Sequence, residues 1–343
     1  MLFAERKFFA RAGVAACAIV LSSLLNLAAA QAQDKTYTMK ITLPTLNDPS
    51  FFFAKNYAAA LEKDSGGRIK TEIYPNSQLG SIPRQIEGTQ FGAIQCAVIP
   101  PEFFVGVDER FEVMAAPGLV DSMDHGQRLA ADPAVKKLMF SLGADKGLHG
   151  IGLYMALPSV LSSRTPIRTL ADLKGKKVRV FASKFQTAAF ERLGATPIAM
   201  STGDVLPALQ QGAIDGAISG ITVFNAMHFQ DAAKYVTELN QPPIFLIIEV
   251  SKRWFDGLPK DLQDIIDRAG AAESVAINPF ADGLWQKARK SWVESGGELI
   301  NLPKDDQAAM MAALAGVGED IAKTRPQLYE AYKVVTEAAE RTR

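Results

Sequence analysis

Three short strand-like runs, "YTMKITL" (37–43), "RIKTEIY" (68–74) and "AIQCAVI" (93–99), are separated by stretches with helical spacing. This feature constrains the fold most, because a β-α-β-α-β order predicts a parallel sheet covered by helices. The first intervening helix is expected to run from about Phe51 to Lys63 and to stop at Ser65-Gly66-Gly67. The second is expected from about Arg84 to Gln90. The theme recurs with "KKVRVF" (176–181), a helix over "KFQTAAFERLG", a capped helix over "STGDVLPALQQG", and the apolar runs "AIDGAIS" and "YVTEL". "PPIFLIIEV" (242–250) reads as a long buried strand crossing between lobes. A long helix starts near Leu258 and continues past Pro279 with a kink. No low-complexity tract or long linker intervenes. The expectation is an α/β fold of two lobes with a cleft between them, where small ligands sit at the carboxyl ends of strands.

Composition narrows the function. The chain has 343 residues, with 37 Lys+Arg balanced by 37 Asp+Glu, so nothing draws it to nucleic acid or an anionic membrane. Arg6, Lys7 and Arg11, an apolar run over 12–28, and the small-x-small patterns Ala28-Ala29-Ala30 and Ala30-Gln31-Ala32 read as a secretory signal peptide over 1–32. Its removal takes Cys17 and leaves Cys96 alone, with no internal disulfide, which suits an exported bacterial protein of the periplasm. Cys96 lies in an apolar run and reads as a core residue.

Catalytic patterns are missing. His125, His149 and His228 match no metal spacing, "DGAISG" misses G-x-S-x-G by one residue, and there is no P-loop. No metal ligand set, cofactor or catalytic residue is assigned.

One residue stands out within this pattern. Arg179 sits among Val178, Val180 and Phe181 in an apolar strand. A buried guanidinium is costly unless an anion meets it. Pattern alone favours an internal Asp or Glu, since buried charges are usually paired.

Four stretches in order resemble one family. They are "GGRIKTEIYPNSQLG" (66–80), "TPIRTLADLKGKKVRV" (165–180), "LGATPIAMSTGDVLPALQQGAIDG" (193–216) and "GLPKDLQDII" (257–266). Together, behind an export signal, they resemble the DctP-type substrate-binding proteins of tripartite ATP-independent periplasmic (TRAP) transporters. The resemblance implies a two-lobed periplasmic-binding-protein fold with hinge-crossing strands and a long helix spanning both lobes. It implies capture of a small organic acid and delivery to a permease of a small and a large membrane subunit. The transporter is ion-driven, and the binding protein turns over neither ATP nor its ligand. The rival readings are a binding protein for another transporter or a sensor, a periplasmic enzyme using the cleft, and a purely structural protein.

The resemblance reverses the preference at Arg179, because the family's characteristic ligand contact is an arginine in this segment, paired with the ligand carboxylate. Against the sialic-acid-binding members, a second pocket arginine falls at Ser159 and an asparagine at Ser219. Phe181 stands where proline is common. Thr202, beside Ser201, faces the cleft or caps a helix. Pro100, Pro101 and Glu102 line the other lobe, and Glu102 is placed to pair with Arg179 in an empty cleft. Tyr154 joins Phe51, Phe52, Phe53 and Phe245 as aromatic candidates whose plain role is core packing. The ligand-site set is Arg179, Ser159, Ser219, Phe181, Thr202, Glu102 and Tyr154, and it favours an acid with an apolar or aromatic body. Lobe one is expected over 33–155 plus 246–290, and lobe two over 156–245 plus 291–343.

Overall fold

The computed structural model describes residues 35–239 and 243–343; the expected signal peptide, 1–32, lies outside them. Eleven strands are described: β1 (Tyr37–Thr42), β2 (Ile69–Tyr74), β3 (Cys96–Ile99), β4 (Leu148–Pro158), β5 (Val160–Ser163), β6 (Lys177–Val180), β7 (Thr196–Ala199), β8 (Gly216–Ser219), β9 (Tyr235–Glu238), β10 (Pro243–Ser251) and β11 (Glu298–Asn301). They form two sheets, ordered β2-β1-β3-β10-β4 and β11-β9-β5-β8-β6-β7. The expected parallel unit is present: β1 pairs in parallel with β2 and with β3, Ile41 standing opposite both Ile73 and Cys96. β10 then runs antiparallel between β3 and β4.

All nine residues of β10 are buried. Phe245 and Ile247 face one apolar core while Leu246, Ile248 and Val250 face another. A sheet covered on both faces calls for a strand apolar on both sides, which β10 is except for the buried Glu249 and Ser251. β10 was expected to cross between lobes, but it lies wholly within the first sheet. The crossing is made instead by β4 and β5, which are consecutive but belong to different sheets, with Ser159 between them.

The expected long helix is two helices, Lys260–Ala276 and Asn278–Glu294, meeting at Ile277, whose backbone is itself helical (φ −71°, ψ −22°). Pro279 falls in the first turn of the second, where its missing N–H costs nothing. The first helix packs on β4 and on the helix Pro49–Asp64. Two glycines permit that close approach: a Cβ on Gly270 would stand 2.8 Å from Ile151 Cδ1, and one on Gly152 would collide with Ser274 Oγ. The second helix touches β4, the helix Pro49–Asp64, the helix Ile221–Ala226 and β11, so it spans both lobes.

The C-terminal part divides differently from expectation. The helix Lys304–Leu314 stays with the second lobe, Met310 and Leu314 sharing a core with Leu173 and Val180. The final helix, Pro326–Thr342, returns to the first lobe and packs on the helices Met123–Ala131 and Pro133–Ser141 through Leu328 and Val335. Among the described residues no helix is long and apolar enough to cross a membrane.

Candidate ligand-binding site between the lobes

Arg179 projects from β6, between Ile198 of β7 and Ala217 of β8, and is 1% exposed. Its Nε and Nη2 donate to the Met200 carbonyl at 3.0 and 2.9 Å. Nη1 donates to the Ile218 carbonyl at 3.0 Å, and Nη2 lies 3.4 Å from Thr202 Oγ1. These acceptors are neutral. No ion pair reaches Arg179 among the described residues; the one carboxylate whose charge is felt there is Asp204. Burial pulls the guanidinium down from its ordinary 12.5 to about 9, with Asp204 opposing, and it stays protonated at neutral pH. The backbone carbonyls thus fix the orientation of the fork without cancelling its charge.

The Phe181 ring lies 4.6 Å from the guanidinium carbon, a cation–π distance. From the other lobe, Phe103 stacks on Phe181 with centroids 5.3 Å apart and planes at 30°. Phe103 belongs to the 3-10 turn Pro101–Phe104, which follows the carboxyl end of β3. The row Phe103–Phe181–Arg179 therefore joins the two lobes. Sequence reasoning missed Phe103; its one local signal was its place beside Glu102 at a strand's carboxyl end.

Glu102 does not pair with Arg179. It is fully buried, neither carboxyl oxygen has a hydrogen-bond partner among the described residues, and the neighbouring charge it feels is that of Glu112. Burial first, then Glu112, pushes it up from 4.5 to about 8. With no cation beside it among the described residues, no opposite charge offsets the burial that holds this carboxyl protonated.

The remaining expected residues disperse around Arg179. Thr202 opens the helix Thr202–Gln210 and meets Nη2, while Ser201 occupies the capping position without a side-chain bond. Ser219 is buried at the end of β8, next to Ile218. Ser159 is buried at the crossing between sheets. Tyr154 stacks on Phe53 at 5.5 Å, which in turn stacks on Tyr57 at 5.5 Å, so its ring is core packing of the first lobe. Its buried hydroxyl has no hydrogen-bond partner among the described residues. Phe245 is likewise fully buried in the first lobe's core. Cys96 is buried, its thiol pushed up by desolvation and then by Glu249, and thiolate chemistry is disfavoured there. Among the described residues no cluster of three or more His, Cys, Asp or Glu could hold a metal ion.

A second link between the lobes also escaped sequence reasoning. Glu112 of the first lobe accepts from the Lys184 backbone N–H at 2.6 Å and from Ser183 Oγ at 3.2 Å, at the start of the second lobe's helix Lys184–Arg192. Its other oxygen accepts from Arg325 Nη2 at 3.0 Å, and Arg325 Nη1 reaches Glu109 at 2.7 Å. A carboxylate at a helix N-terminus satisfies otherwise orphaned donors and suits the helix dipole. Glu112→Ala is expected to lower unfolding stability by about 2–4 kcal/mol, Arg325 retaining Glu109. Glu112→Gln should lose less. Urea midpoints unchanged in both variants would show that the link carries no stability.

The candidate site therefore holds a buried cation near the junction of the lobes, oriented by neutral carbonyls and packed against Phe181. A model of the DctP family, described as bacterial extracellular solute-binding protein, family 7, matches residues 42–324. The C4-dicarboxylate-binding periplasmic protein DctP of Rhodobacter capsulatus is 28% identical over 273 residues, covering 79% of this chain and 81% of that protein. A TRAP periplasmic solute-binding protein of Desulfovibrio salexigens, solved with bound orotic acid, has a TM-score of 0.84 at 24% identity and covers 90% of this chain and 100% of its own. One of Xanthobacter autotrophicus, with bound β-D-galacturonate, has a TM-score of 0.80 at 26% identity, covering 87% and 99%. With a family match over most of its length and two lobes that follow the solved relatives throughout, the chain belongs to the DctP family of bacterial extracellular solute-binding proteins.

Proposed function

We propose that this solute-binding protein captures a small organic acid between its lobes, with the ligand carboxylate on Arg179, and delivers it unchanged to a TRAP-type permease of small and large membrane subunits. The observation that carries this reading is the Arg179 guanidinium, buried and held by the carbonyls of Met200 and Ile218 with no anionic partner among the described residues. A carboxylate from solution supplies the missing charge and would bring the guanidinium's pKa back up. The relatives point the same way: one is named for binding C4-dicarboxylates and two were solved with orotic acid and galacturonate bound, all acids. Export by a signal peptide over 1–32 and work in the periplasm belong to the same reading.

The body of the ligand is read from what surrounds the arginine. Phe181 packs against the guanidinium and Phe103 stacks on Phe181, while Ser159 and Ser219 are short side chains. Aromatic faces favour an apolar or aromatic body. Ser159, Ser219, Phe181 and Thr202 are assigned to the ligand's surroundings. Tyr154 and Glu102 are assigned to the lobe behind it. In a thermal-shift screen, apolar monocarboxylates are expected to stabilise the protein more than sialic acid, sugar acids or dicarboxylates. The reverse ranking would sink the apolar-body reading. Mass spectrometry of the recovered ligand tests the absence of turnover.

A further inference from the structure

A cavity of about 370 Å³ lies where three parts of the protein meet. Asn47 and Phe52 come from the first lobe, Thr222 and Asn225 from the second, and Lys287 and Ser291 from the spanning helix. Small-molecule sites occupy about 300–1,000 Å³, so the size suits one. Its lining includes neither Arg179 nor Phe181, so this is not the carboxylate site described above. Thr222 is 4% exposed, lines the cavity, and its Oγ1 has no hydrogen-bond partner among the described residues. A buried hydroxyl without a partner carries a desolvation cost that a suitable ligand group removes. Beside it, Asn225 Nδ2 donates to the Ala288 carbonyl of the spanning helix at 2.7 Å, which fixes the amide and leaves its Oδ1 to accept.

The lining sets the chemistry. It contains no Asp or Glu, so an ammonium group finds no counter-ion there. Its one cation, Lys287, is exposed, and a solvated charge adds little to the binding of an anion. What remains is neutral: the hydroxyls of Thr222 and Ser291 and the amides of Asn47 and Asn225, groups that both donate and accept, beside apolar wall from Phe52 and Leu284. Alcohol groups on a short carbon frame match that set, since each also donates and accepts while the C–H surface between them meets the apolar wall.

We infer that this cavity is a second binding site, which takes a neutral polyol or sugar with a ligand hydroxyl on Thr222 Oγ1. The inference does not rest on the carboxylate reading of Arg179. The test is calorimetry of the full chain with glycerol, xylitol and glucose. At least one of the three should bind, one molecule per chain. Thr222→Val keeps the shape without the hydroxyl and should weaken that ligand roughly 5- to 30-fold. Thr222→Ser should keep most of the affinity, and Arg179→Ala should leave it unchanged. Without ligand, Thr222→Val should melt at or above the parent's midpoint, because it removes an orphaned hydroxyl. Binding of none of the three, or an affinity unchanged in Thr222→Val, overturns the inference. A midpoint of Thr222→Val well below the parent's would mean that the hydroxyl is bonded within the fold, and overturns it too. Loss of binding in Arg179→Ala would place the polyol at the carboxylate site and equally overturn it.

Discussion

Arg179→Ala is expected to weaken binding of a confirmed acid ligand by about 2–5 kcal/mol, a factor of about 30 to several thousand. Two contributions make the effect large. The charge-assisted hydrogen bonds to the carboxylate disappear, and the ligand's own charge is left desolvated without a counter-ion. Arg179→Lys keeps a positive charge but cannot span the carbonyls of Met200 and Ile218 in one plane, so the ammonium is not pre-oriented. It should recover only part of the loss. The unliganded protein behaves differently. Arg179 has no carboxylate to abandon, and its removal relieves a buried charge while orphaning two carbonyls, contributions of opposite sign. The melting midpoint without ligand should therefore move by only a few degrees. Stabilisation by ligand, about 2.7 kcal/mol at a hundredfold excess over Kd in the parent, should vanish. Unchanged affinity in Arg179→Ala would remove this residue from the site.

The local parts of this picture were legible in the sequence. The parallel trio β1, β2 and β3 follows from alternating apolar runs punctuated by turn residues, all within about sixty positions. Arg179 was legible as an anomaly because a charge inside an apolar strand demands an explanation. What could not be read depends on contacts between distant segments. Nothing local tells that the helix Pro326–Thr342 returns to the first lobe, or that β10 inserts between β3 and β4. The stack of Phe103 on Phe181 joins two unremarkable aromatics from different lobes. Glu112, in the charged run "DERFEVM", reads as a surface residue, yet its acceptor oxygens are spent on Lys184, Ser183 and Arg325. At Arg179 the sequence pointed to a ligand carboxylate, with an internal Asp or Glu such as Glu102 as the alternative; the backbone carbonyls that orient the fork are invisible to any residue pattern.

Glu102→Gln is expected to change the pH dependence of stability by several kcal/mol across the neutral range. In the folded protein this carboxyl stays protonated up to about pH 8, because it is fully buried and Glu112 adds a like charge. In the unfolded chain it ionises near its ordinary 4.5. Below that pH both states hold the proton and Glu102 contributes no pH-dependent cost. Between about 4.5 and 8 only the folded state holds it, so ionisation favours unfolding by about 1.4 kcal/mol per pH unit. Above about 8 both states are ionised, and the cost stays at its full value. A neutral amide of similar shape has no such slope. The variant should match the parent within about 1 kcal/mol at pH 4.5 and exceed it increasingly as pH rises to 8. Asp48 and Glu249, also raised by burial, impose slopes of the same sign on both proteins, so the difference between the two curves isolates Glu102. Chemical denaturation at intervals across this range measures that difference directly. Parallel curves would mean that Glu102 ionises in the folded state as it does in water, and that an ion or solvent reaches a carboxyl with no partner among the described residues.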